Sequence, residues 1–435
     1  MTPLPRGGYE RHQNAYIHGL IRYGAAEPSV DPMKRNRRIS AVAVLTLAAL
    51  VTGTGAGFAA TTTPSATPVT THAFDTAPAT ATAPTRSFQG TLPAPTGPYA
   101  AGEDVIHLTD ASRPDPWVPS SGPRQLTVTM VYPAVPGTGT PAPYMTLAEA
   151  AGIIQRRNMP ASSGVTPESL SSVTTHAFDG ARPQRGKYPL VVLSPASENP
   201  RMMLTSLATD LASHGYVVAL VGHTYEDSGE TLANGQTPPC AICDDPTRID
   251  FDAEAVSRAR DVSFVIDQLT HGNTAWPLAH LIDKHEIGMA GHSLGGAAAA
   301  DTMIADPRVR AGVNMDGTFH PVPMPGQIDR PFLMLGIADS HTPGSGDGIV
   351  WDRAWAALGG YKKWLTVTGA DHFSFSDGDL LQEQAGFPTA PLSPERGMAI
   401  TREYVTAFFD QTLKGIHSPL LDGPSPNNPE VLFQP

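Results

Sequence analysis

The chain has 435 residues, enough for one large or two ordinary domains, and its net charge is −12 at neutral pH. After the N-terminus no block of like charge stands out. This argues against a nucleic-acid partner and against a polybasic contact with a membrane surface. Glycine (41) and proline (43) are abundant, but the prolines thin out between residues 201 and 300, where a core can form.

The first segment of the chain is typical of a targeting sequence. A basic stretch at 34–38 precedes a mostly apolar run at 39–51. That run is shorter than the ~20 residues that a membrane-spanning helix needs. Small residues end the segment, so we predict a signal peptide at 33–59 and secretion, with 1–32 a misannotated N-terminal extension. An uncleaved anchor is the alternative, and the arginine pair leaves both Sec and twin-arginine export open.

A change of composition marks the start of the folded domain. Residues 60–96 are mostly Thr, Ala and Pro with little apolar bulk, and we predict a disordered linker there. The catalytic domain is predicted at 97–418. The polar, proline-rich segment 419–435 is predicted to be a disordered C-terminal tail.

The first strands of the domain are predicted from alternating apolar and polar residues at 104–110 and 125–134. We expect them to form an antiparallel hairpin at one edge of the sheet. Residues 135–186 have a mixed pattern in which a short helix at 146–157 is the clearest element.

From Tyr188 onwards, continuous apolar runs alternate with helical patterns. Strands are predicted at 188–194, 216–223, 286–292, 311–317, 331–339 and 362–369, and helices at 202–215, 252–271, 295–305, 352–358 and 394–415. Strands that are apolar throughout and alternate with helices predict an α/β fold with a mostly parallel sheet covered on both faces. Functional side chains are then expected at the carboxyl ends of the strands.

Two cysteines, Cys240 and Cys243, lie in a long loop after the strand at 216–223. A single CxxC pair is weak evidence for zinc. In a secreted chain a disulfide across this small loop is the favoured interpretation, and two free thiols are the alternative.

Residues 291–295 form the pattern G-x-S-x-G, with a predicted strand before it and a predicted helix after it. This context is what the pattern requires to place a nucleophile on a sharp, strained turn. The helix N-terminus adds free N–H groups and a positive dipole, which favour a developing oxyanion. We therefore predict Ser293 as the nucleophile. An incidental serine in a glycine-rich turn is the alternative.

A serine hydroxyl needs a base to take its proton. His372 follows the last predicted strand of the parallel set, where the chain order Ser…acid…His places that base. His292 is adjacent to Ser293 but is expected to point away from it. His320 and His341 lie in loops near strand ends and receive no role.

The acid of the predicted triad has two candidates. Asp316 and Asp339 each end a strand that follows the nucleophile helix, and the residues alone do not separate them. For the oxyanion hole, one N–H is expected from Leu294 and the other from the loop after the strand at 188–194, with Ser197 as donor.

The end of the strand at 216–223 supplies two further pocket candidates, His223 and Tyr225. Either substrate contact or structural hydrogen bonding would explain them.

Six segments together resemble the platelet-activating-factor acetylhydrolase family of α/β-hydrolases, plasma type and secreted bacterial relatives. They are "TGPYAAGEDVIHLTDASRPDPWVP", "YPLVVLSPASENPR", "LATDLASHGYVVALVGHTYE", "IGMAGHSLGG", "NMDGTFHPV" and "GADHFSFSD", and the resemblance covers roughly residues 97–413. It implies Asp316 as the acid, His372 as the base and the N–H of Ser197 in the oxyanion hole. It also implies hydrolysis of short-acyl lipid or phospholipid esters.

One segment departs from the family pattern. Animal members carry a His-Gly-containing loop where this chain has "SPASENP", so strict selectivity for acetylated ether phospholipids is not implied. A broad lipase or esterase, or a cutinase-like polyester hydrolase, is the alternative, and an inactive cell-surface binding module is a remote one. We expect a secreted carboxylic-ester hydrolase that needs no metal or organic cofactor, with a small-molecule or lipid ester as substrate and at most transient contact with a lipid surface.

Overall fold

A computed structural model describes residues 87–243, 249–272, 274–322 and 324–435. The predicted extension (1–32), signal peptide (33–59) and most of the predicted linker (60–86) lie outside these residues.

One sheet of eleven strands forms the centre of the described part of the chain. The strands are β1 Ala100–Pro114, β2 Pro123–Ala134, β3 Thr140–Pro141, β4 Ala177–Asp179, β5 Tyr188–Ser194, β6 Val217–His223, β7 Ile282–His292, β8 Val309–Met315, β9 Phe332–Ile337, β10 Lys362–Val367 and β11 Val431–Phe433. Their order is β11-β10-β9-β8-β7-β5-β6-β2-β1-β4-β3. The strands from β6 to β10 in this order pair in parallel, which confirms the predicted mostly parallel sheet.

Helices cover both faces of this sheet. They are α1 Leu147–Arg156, α2 Pro167–Ser171, α3 Thr205–Ser213, α4 Phe251–Thr270, α5 Leu294–Ala305, α6 Ala338–His341, α7 Gly348–Ala357, α8 Asp377–Gln384 and α9 Pro394–Leu413. Side chains of α4, α5 and α7 pack on one face, and those of α3 and α9 pack on the other. Successive strand residues serve opposite faces, as Val191 and Val192 do, so the central strands are apolar throughout.

The predicted hairpin forms, but it is not at the edge of the sheet. β1 and β2 pair antiparallel from Ala100–Ala134 onwards, and β4 and β3 then extend the sheet beyond β1. Both added strands are only two or three residues long. Elements this short carry no usable periodicity, which is why the sequence did not predict them.

The prediction of a disordered tail at 419–435 is wrong. β11 pairs antiparallel with β10, and both Leu421 and Val431 are buried. Arg396 on α9 also holds Glu430 through an ion pair of 2.8 Å. The tail covers the otherwise unpaired edge of β10, which explains why so polar a segment is ordered.

The ordered domain also begins earlier than the predicted boundary at residue 97. Phe88 and Leu92 are buried in a cluster with Val173 and Leu381. The segment before 97 therefore supplies apolar anchors despite its Thr- and Pro-rich composition.

Helices long and apolar enough to span a membrane are not found among the described residues. The structure joins Cys240 and Cys243 in a disulfide, in the loop between β6 and α4.

Candidate active site

Ser293 occupies a strained turn between β7 and α5. Its φ of 55° and ψ of −122° lie outside the regions that residues other than glycine favour. Such a conformation costs about 1–3 kcal/mol and persists only where the surroundings impose it. Here the N–H of Ser293 donates to the carbonyl oxygen of Met315 (2.8 Å), and its own carbonyl accepts from the N–H of Gly296 (2.8 Å).

The glycines of this turn permit three close main-chain approaches. A Cβ on Gly291 would lie 2.0 Å from the carbonyl carbon of Gly295, and a Cβ on Gly295 would lie 2.1 Å from the carbonyl oxygen of Ser194. A Cβ on Gly317 would lie 2.1 Å from the carbonyl oxygen of Ser293. Any side chain at these positions would separate the turn from β5 and from the end of β8.

Asp316 and His372 meet at the carboxyl edge of the sheet. Nδ1 of His372 donates to Oδ2 of Asp316 at 2.6 Å. Asp316 follows β8 with a φ of 58°, and its N–H donates to the carbonyl of Leu335 at 2.8 Å. The side chain of Asn314 bridges both main-chain groups of Gly317, which fixes the turn that carries the carboxylate.

His372 itself starts a short 3-10 turn, His372–Phe375. Asp371 caps this turn by accepting from the N–H of Phe373 at 2.9 Å. The cap sets the direction of the loop after β10, and so the position of the imidazole.

A second histidine binds the same aspartate. Nδ1 of His341 donates to Oδ1 of Asp316 at 2.7 Å, and the N–H of Ile337 donates to the same oxygen at 2.8 Å. Burial alone would raise the pKa of Asp316, but the charges and hydrogen bonds of His341 and His372 outweigh it and hold that pKa well below its ordinary value. No role was predicted for His341, although its place just after β9 was a usable signal.

The alternative acid lies elsewhere. Asp339 is exposed on the first turn of α6, and among the described residues it forms no hydrogen bond with His372. The geometry brings Asp316, not Asp339, to the imidazole.

His292 contacts the site in a way that the sequence did not predict. Its Nε2 donates to the carbonyl oxygen of His372 at 2.6 Å, and the two ring centroids are 4.7 Å apart. Burial, together with the charge of His372, lowers the pKa of His292 to about 3. His292 is therefore neutral at neutral pH, and it supports the loop that carries His372.

The two predicted oxyanion donors lie on α5 and on the loop after β5. Leu294 is the first residue of α5, so its N–H has no partner within the helix. Among the described residues, neither this N–H nor that of Ser197 is bound to an acceptor. Both groups are thus free to bind a developing negative charge.

Arg258 on α4 orients the loop after β5. Its guanidinium donates to the carbonyl oxygens of Pro195 and Ala196. In a trans peptide the N–H points opposite to the C=O, so anchoring the Ala196 carbonyl turns the N–H of Ser197 the other way. The hydroxyl of Ser197 is held separately by Glu254, at 3.2 Å.

His223 is not a substrate contact. It is 1% exposed, with Nε2 bonded to Oγ of Ser194 at 2.9 Å and Nδ1 to Oδ2 of Asp261 at 2.8 Å. Of its two interpretations, structural hydrogen bonding describes it. Tyr225 is half-buried with a φ of 69°, and its role in the pocket stays a prediction.

Around His223 lies a buried ionic cluster. His223, Glu226 and Asp261 present ligand-type atoms within 4.8 Å of one another. Arg124 and Arg258, however, pair with Asp261 and Glu226 at 2.7 Å each. The two guanidiniums already balance these carboxylates, so the cluster is an ion-pair network rather than a metal site.

Comparisons with known proteins show the family and the activity of the relatives. Residues 151–249 and 256–414 match the family described as "Platelet-activating factor acetylhydrolase, isoform II". The chain belongs to this family. Its relatives include a protein of Arthroderma benhamiae named "Probable 1-alkyl-2-acetylglycerophosphocholine esterase", 26% identical over 79% of this chain and 93% of the relative. Another is the platelet-activating factor acetylhydrolase of Bos taurus, 25% identical over 48% of this chain and 52% of the relative.

Among solved structures, a ferulic acid esterase from Streptomyces cinnamoneus is 39% identical to this chain. The match has a TM-score of 0.71 and covers 80% of this chain and 99% of the esterase. The chain is therefore a carboxylic-ester hydrolase with the α/β-hydrolase fold.

Proposed function

We propose that Ser293, His372 and Asp316 hydrolyse carboxylic esters through an acyl-enzyme. The observation that carries the proposal is the 2.6 Å hydrogen bond between His372 and Asp316, beside a serine held on a strained strand-helix turn. Both features are what a serine nucleophile and its base require.

In the proposed mechanism, Ser293 attacks the ester carbonyl while His372 takes the hydroxyl proton and then passes it to the leaving alcohol. Asp316 keeps the proton of His372 on Nδ1 and stabilises the imidazolium. The N–H groups of Leu294 and Ser197 bind the tetrahedral oxyanion. Water, activated by His372, then releases the acid, and no metal or organic cofactor takes part.

Two substrate classes are supported by different relatives. The family and its curated members favour short-acyl lipid or phospholipid esters. The solved ferulic acid esterase favours esters of a phenolic acid. We keep this as a second candidate because its identity to this chain, 39% over 99% of the esterase, is higher than the 26% of the Arthroderma benhamiae relative. A broad lipase or polyester activity is compatible with the same triad.

The triad is tested with Asp316→Asn and its matched control Asp339→Asn on p-nitrophenyl acetate. Replacing a triad aspartate by asparagine lowers kcat by about 10⁴-fold in a well-studied serine hydrolase, because the histidine adopts the wrong tautomer. We expect a loss of this order for Asp316→Asn and near-normal turnover for Asp339→Asn. The reverse pattern would show that Asp339 is the acid.

The substrate class is tested by comparing kcat/KM on methyl ferulate, a 2-acetyl phospholipid and a polyester film. A preference of at least tenfold for one of them assigns the class. Equal turnover of all three would favour a broad esterase.

Export is proposed from the predicted signal peptide. N-terminal sequencing of protein recovered from the culture medium of a bacterial host should begin at Ala60. Retention of the segment 39–51 in a membrane fraction would favour the uncleaved anchor.

A further inference from the structure

Asp316 lies between two imidazole rings. His372 donates to Oδ2, while His341 and the N–H of Ile337 donate to Oδ1. An ionised carboxylate only accepts hydrogen bonds, so both histidines carry a proton on Nδ1. With Oδ1 bound twice by protein groups, Oδ2 is the oxygen left for His372.

His341 is enclosed on every side that the structure describes. It is 3% exposed and stacks on the indole of Trp351, with ring centroids 4.1 Å apart and planes inclined by 25°. The N–H of the Trp364 indole donates to its main-chain carbonyl at 2.9 Å. The side chain of His341 is therefore shielded from solvent, and its hydrogen bond to the site runs through Asp316.

The other ring nitrogen of His341 gives a second, independent observation. Its Nε2 is buried without a hydrogen-bond partner among the described residues. Leaving a buried polar atom unpaired is unfavourable, and an apolar ring would fill the same space without that penalty. A histidine here is therefore explained by its Nδ1–H, which faces Asp316.

We propose that His341 is a positioning residue for ester hydrolysis. By binding Oδ1, it fixes the rotation of the Asp316 carboxylate so that Oδ2 faces His372 throughout the reaction. The inference rests on the proposed function, in which Asp316 is the acid of the triad.

The same contact sets how strongly Asp316 attracts the proton of His372. The titratable groups that face His372 are Asp316 and His292, and the lowered pKa of His292 leaves it uncharged. His341 contacts Asp316, and α7 and β10 face it with the uncharged Trp351 and Trp364, while Asp339 on its own helix is exposed. Removing the Nδ1–H leaves more of the carboxylate charge to stabilise protonated His372. Since the reaction needs His372 unprotonated, the acid limb of kcat/KM then moves to higher pH.

Two substitutions distinguish the contribution of the Nδ1–H donor of His341 from that of its aromatic ring. His341→Phe keeps an aromatic ring on Trp351 but has no donor. His341→Asn loses the ring but can place an amide N–H near the position of Nδ1. Esterase kinetics, pH profiles and thermal unfolding are measured for both variants with p-nitrophenyl acetate.

We expect His341→Phe to lower kcat by about 10-fold to 100-fold, the range that one charge-assisted hydrogen bond spans. KM should stay within about twofold, and the acid limb should shift upward. His341→Asn should recover most of kcat and the original pH limb, even if it unfolds at a lower temperature.

The inference is overturned if His341→Phe retains wild-type kcat and pH limb. It is also overturned if both variants lose activity only in proportion to their loss of thermal stability, because His341 is then merely structural. Asp316→Asn in the same series distinguishes a failure of the proposed role of His341 from a failure of the proposed triad. An inactive Asp316→Asn beside a fully active His341→Phe rejects only the role of His341, whereas an active Asp316→Asn rejects the proposed triad itself.

Discussion

Two Ser-His-Asp arrays lie side by side at the carboxyl edge of the sheet, and only one is proposed to react. In the first, Ser194, His223 and Asp261 form an unbroken chain of hydrogen bonds of 2.9 and 2.8 Å. In the proposed triad, the bond between His372 and Asp316 is 2.6 Å. The arrays differ in access, since the side chain of His223 is 1% exposed and that of His372 is 27% exposed.

The partners of the two aspartates differ as well. Asp261 is paired with the permanently charged guanidiniums of Arg124 and Arg113. Asp316 is bound by two imidazoles and a main-chain N–H. Burial, helped by the charge of Arg258, lowers the pKa of His223, so that ring favours its neutral form.

Matching residue types and hydrogen bonds therefore do not make an esterase site by themselves. Ser194 ends a regular buried strand, whereas Ser293 stands on a strained turn at a helix N-terminus. The buried array of Ser194, His223 and Asp261, called the sealed array below, instead supports the loop after β5, which carries the proposed oxyanion donor Ser197. Substitutions in the two arrays should therefore have different effects on activity and on stability.

The largest difference is expected between the two serines. Ser293→Ala should lower kcat by several orders of magnitude, because the acyl-enzyme cannot form. Ser194→Ala should keep kcat within a few-fold but lower the free energy of unfolding by about 1–3 kcal/mol, since Nε2 of His223 loses its partner in the core. Ester kinetics and urea unfolding of both variants measure this. A folded but inactive Ser194→Ala would mean that the sealed array takes part in the chemistry.

The two aspartates should differ most in stability. Asp261→Asn leaves buried arginine charge uncompensated, so the free energy of unfolding should fall by about 3–5 kcal/mol at pH 7. Asp316→Asn should cost less, because the partners of Asp316 are two imidazoles and a main-chain N–H rather than permanently charged guanidiniums. Urea unfolding measures both variants. Equal losses in the free energy of unfolding would contradict the proposed difference between the two aspartates.

The pH dependence of unfolding follows from the lowered pKa of both aspartates. The folded-state pKa of Asp261 lies below its ordinary value because the attraction of Arg124 and the hydrogen bonds of His223 and Arg124 outweigh burial. Its stabilisation is therefore complete above the ordinary value of ~3.9 and is lost as pH falls below it. Asp261→Asn should flatten this acid decline. An unchanged slope between about pH 4 and pH 2 would contradict the assignment.

A smaller effect is expected at the oxyanion loop. Arg258→Lys keeps the charge beside Glu226 but cannot also hold the carbonyls of Pro195 and Ala196 with one ammonium group. We expect kcat to fall by about tenfold with little change in KM, less than the loss of a whole oxyanion donor. Arg308→Lys, in a partly exposed ion pair with Asp306 just before the start of β8, is the matched control. Equal kcat in the two variants would show that Arg258 does not orient the N–H of Ser197.

The smallest effect concerns Glu254, whose carboxyl holds the hydroxyl of Ser197. Burial, reinforced by the charge of Glu226, raises the pKa of Glu254 to about 8. A raised pKa means that this group stabilises the fold least at high pH, after the carboxyl ionises. Glu254→Gln should therefore unfold at a higher temperature than the wild type at pH 9 and gain little at pH 5. A gain independent of pH would contradict the shifted pKa.

Much of this fold was predictable because the central strands are long, apolar and regularly alternated with helices. Ser293 was predictable from its local pattern, and His372 from chain order. The residues alone left Asp316 and Asp339 open, since each follows a strand, and only the family resemblance favoured Asp316. The structure separates them by a left-handed turn after β8 and by the exposure of α6, and both depend on tertiary packing.

The sealed array could not be predicted for a similar reason. His223 ends a strand, as a pocket residue would, but its partner Asp261 lies in the middle of α4. Nothing local to either residue indicates that they meet. β11 was missed because three residues between prolines and polar side chains carry no strand signal, and only the open edge of β10 gives them a partner.

Covalent labelling with a fluorophosphonate tests most directly whether Ser293 is the nucleophile. Intact-mass and peptide analysis of the wild-type protein should show one adduct, on the peptide that contains Ser293, formed in step with the loss of esterase activity. Ser194→Ala should label as the wild type does, and Ser293→Ala should not label. An adduct on Ser194 would contradict the proposed triad. So would a Ser293→Ala variant that keeps esterase activity and loses it when the reagent labels another residue.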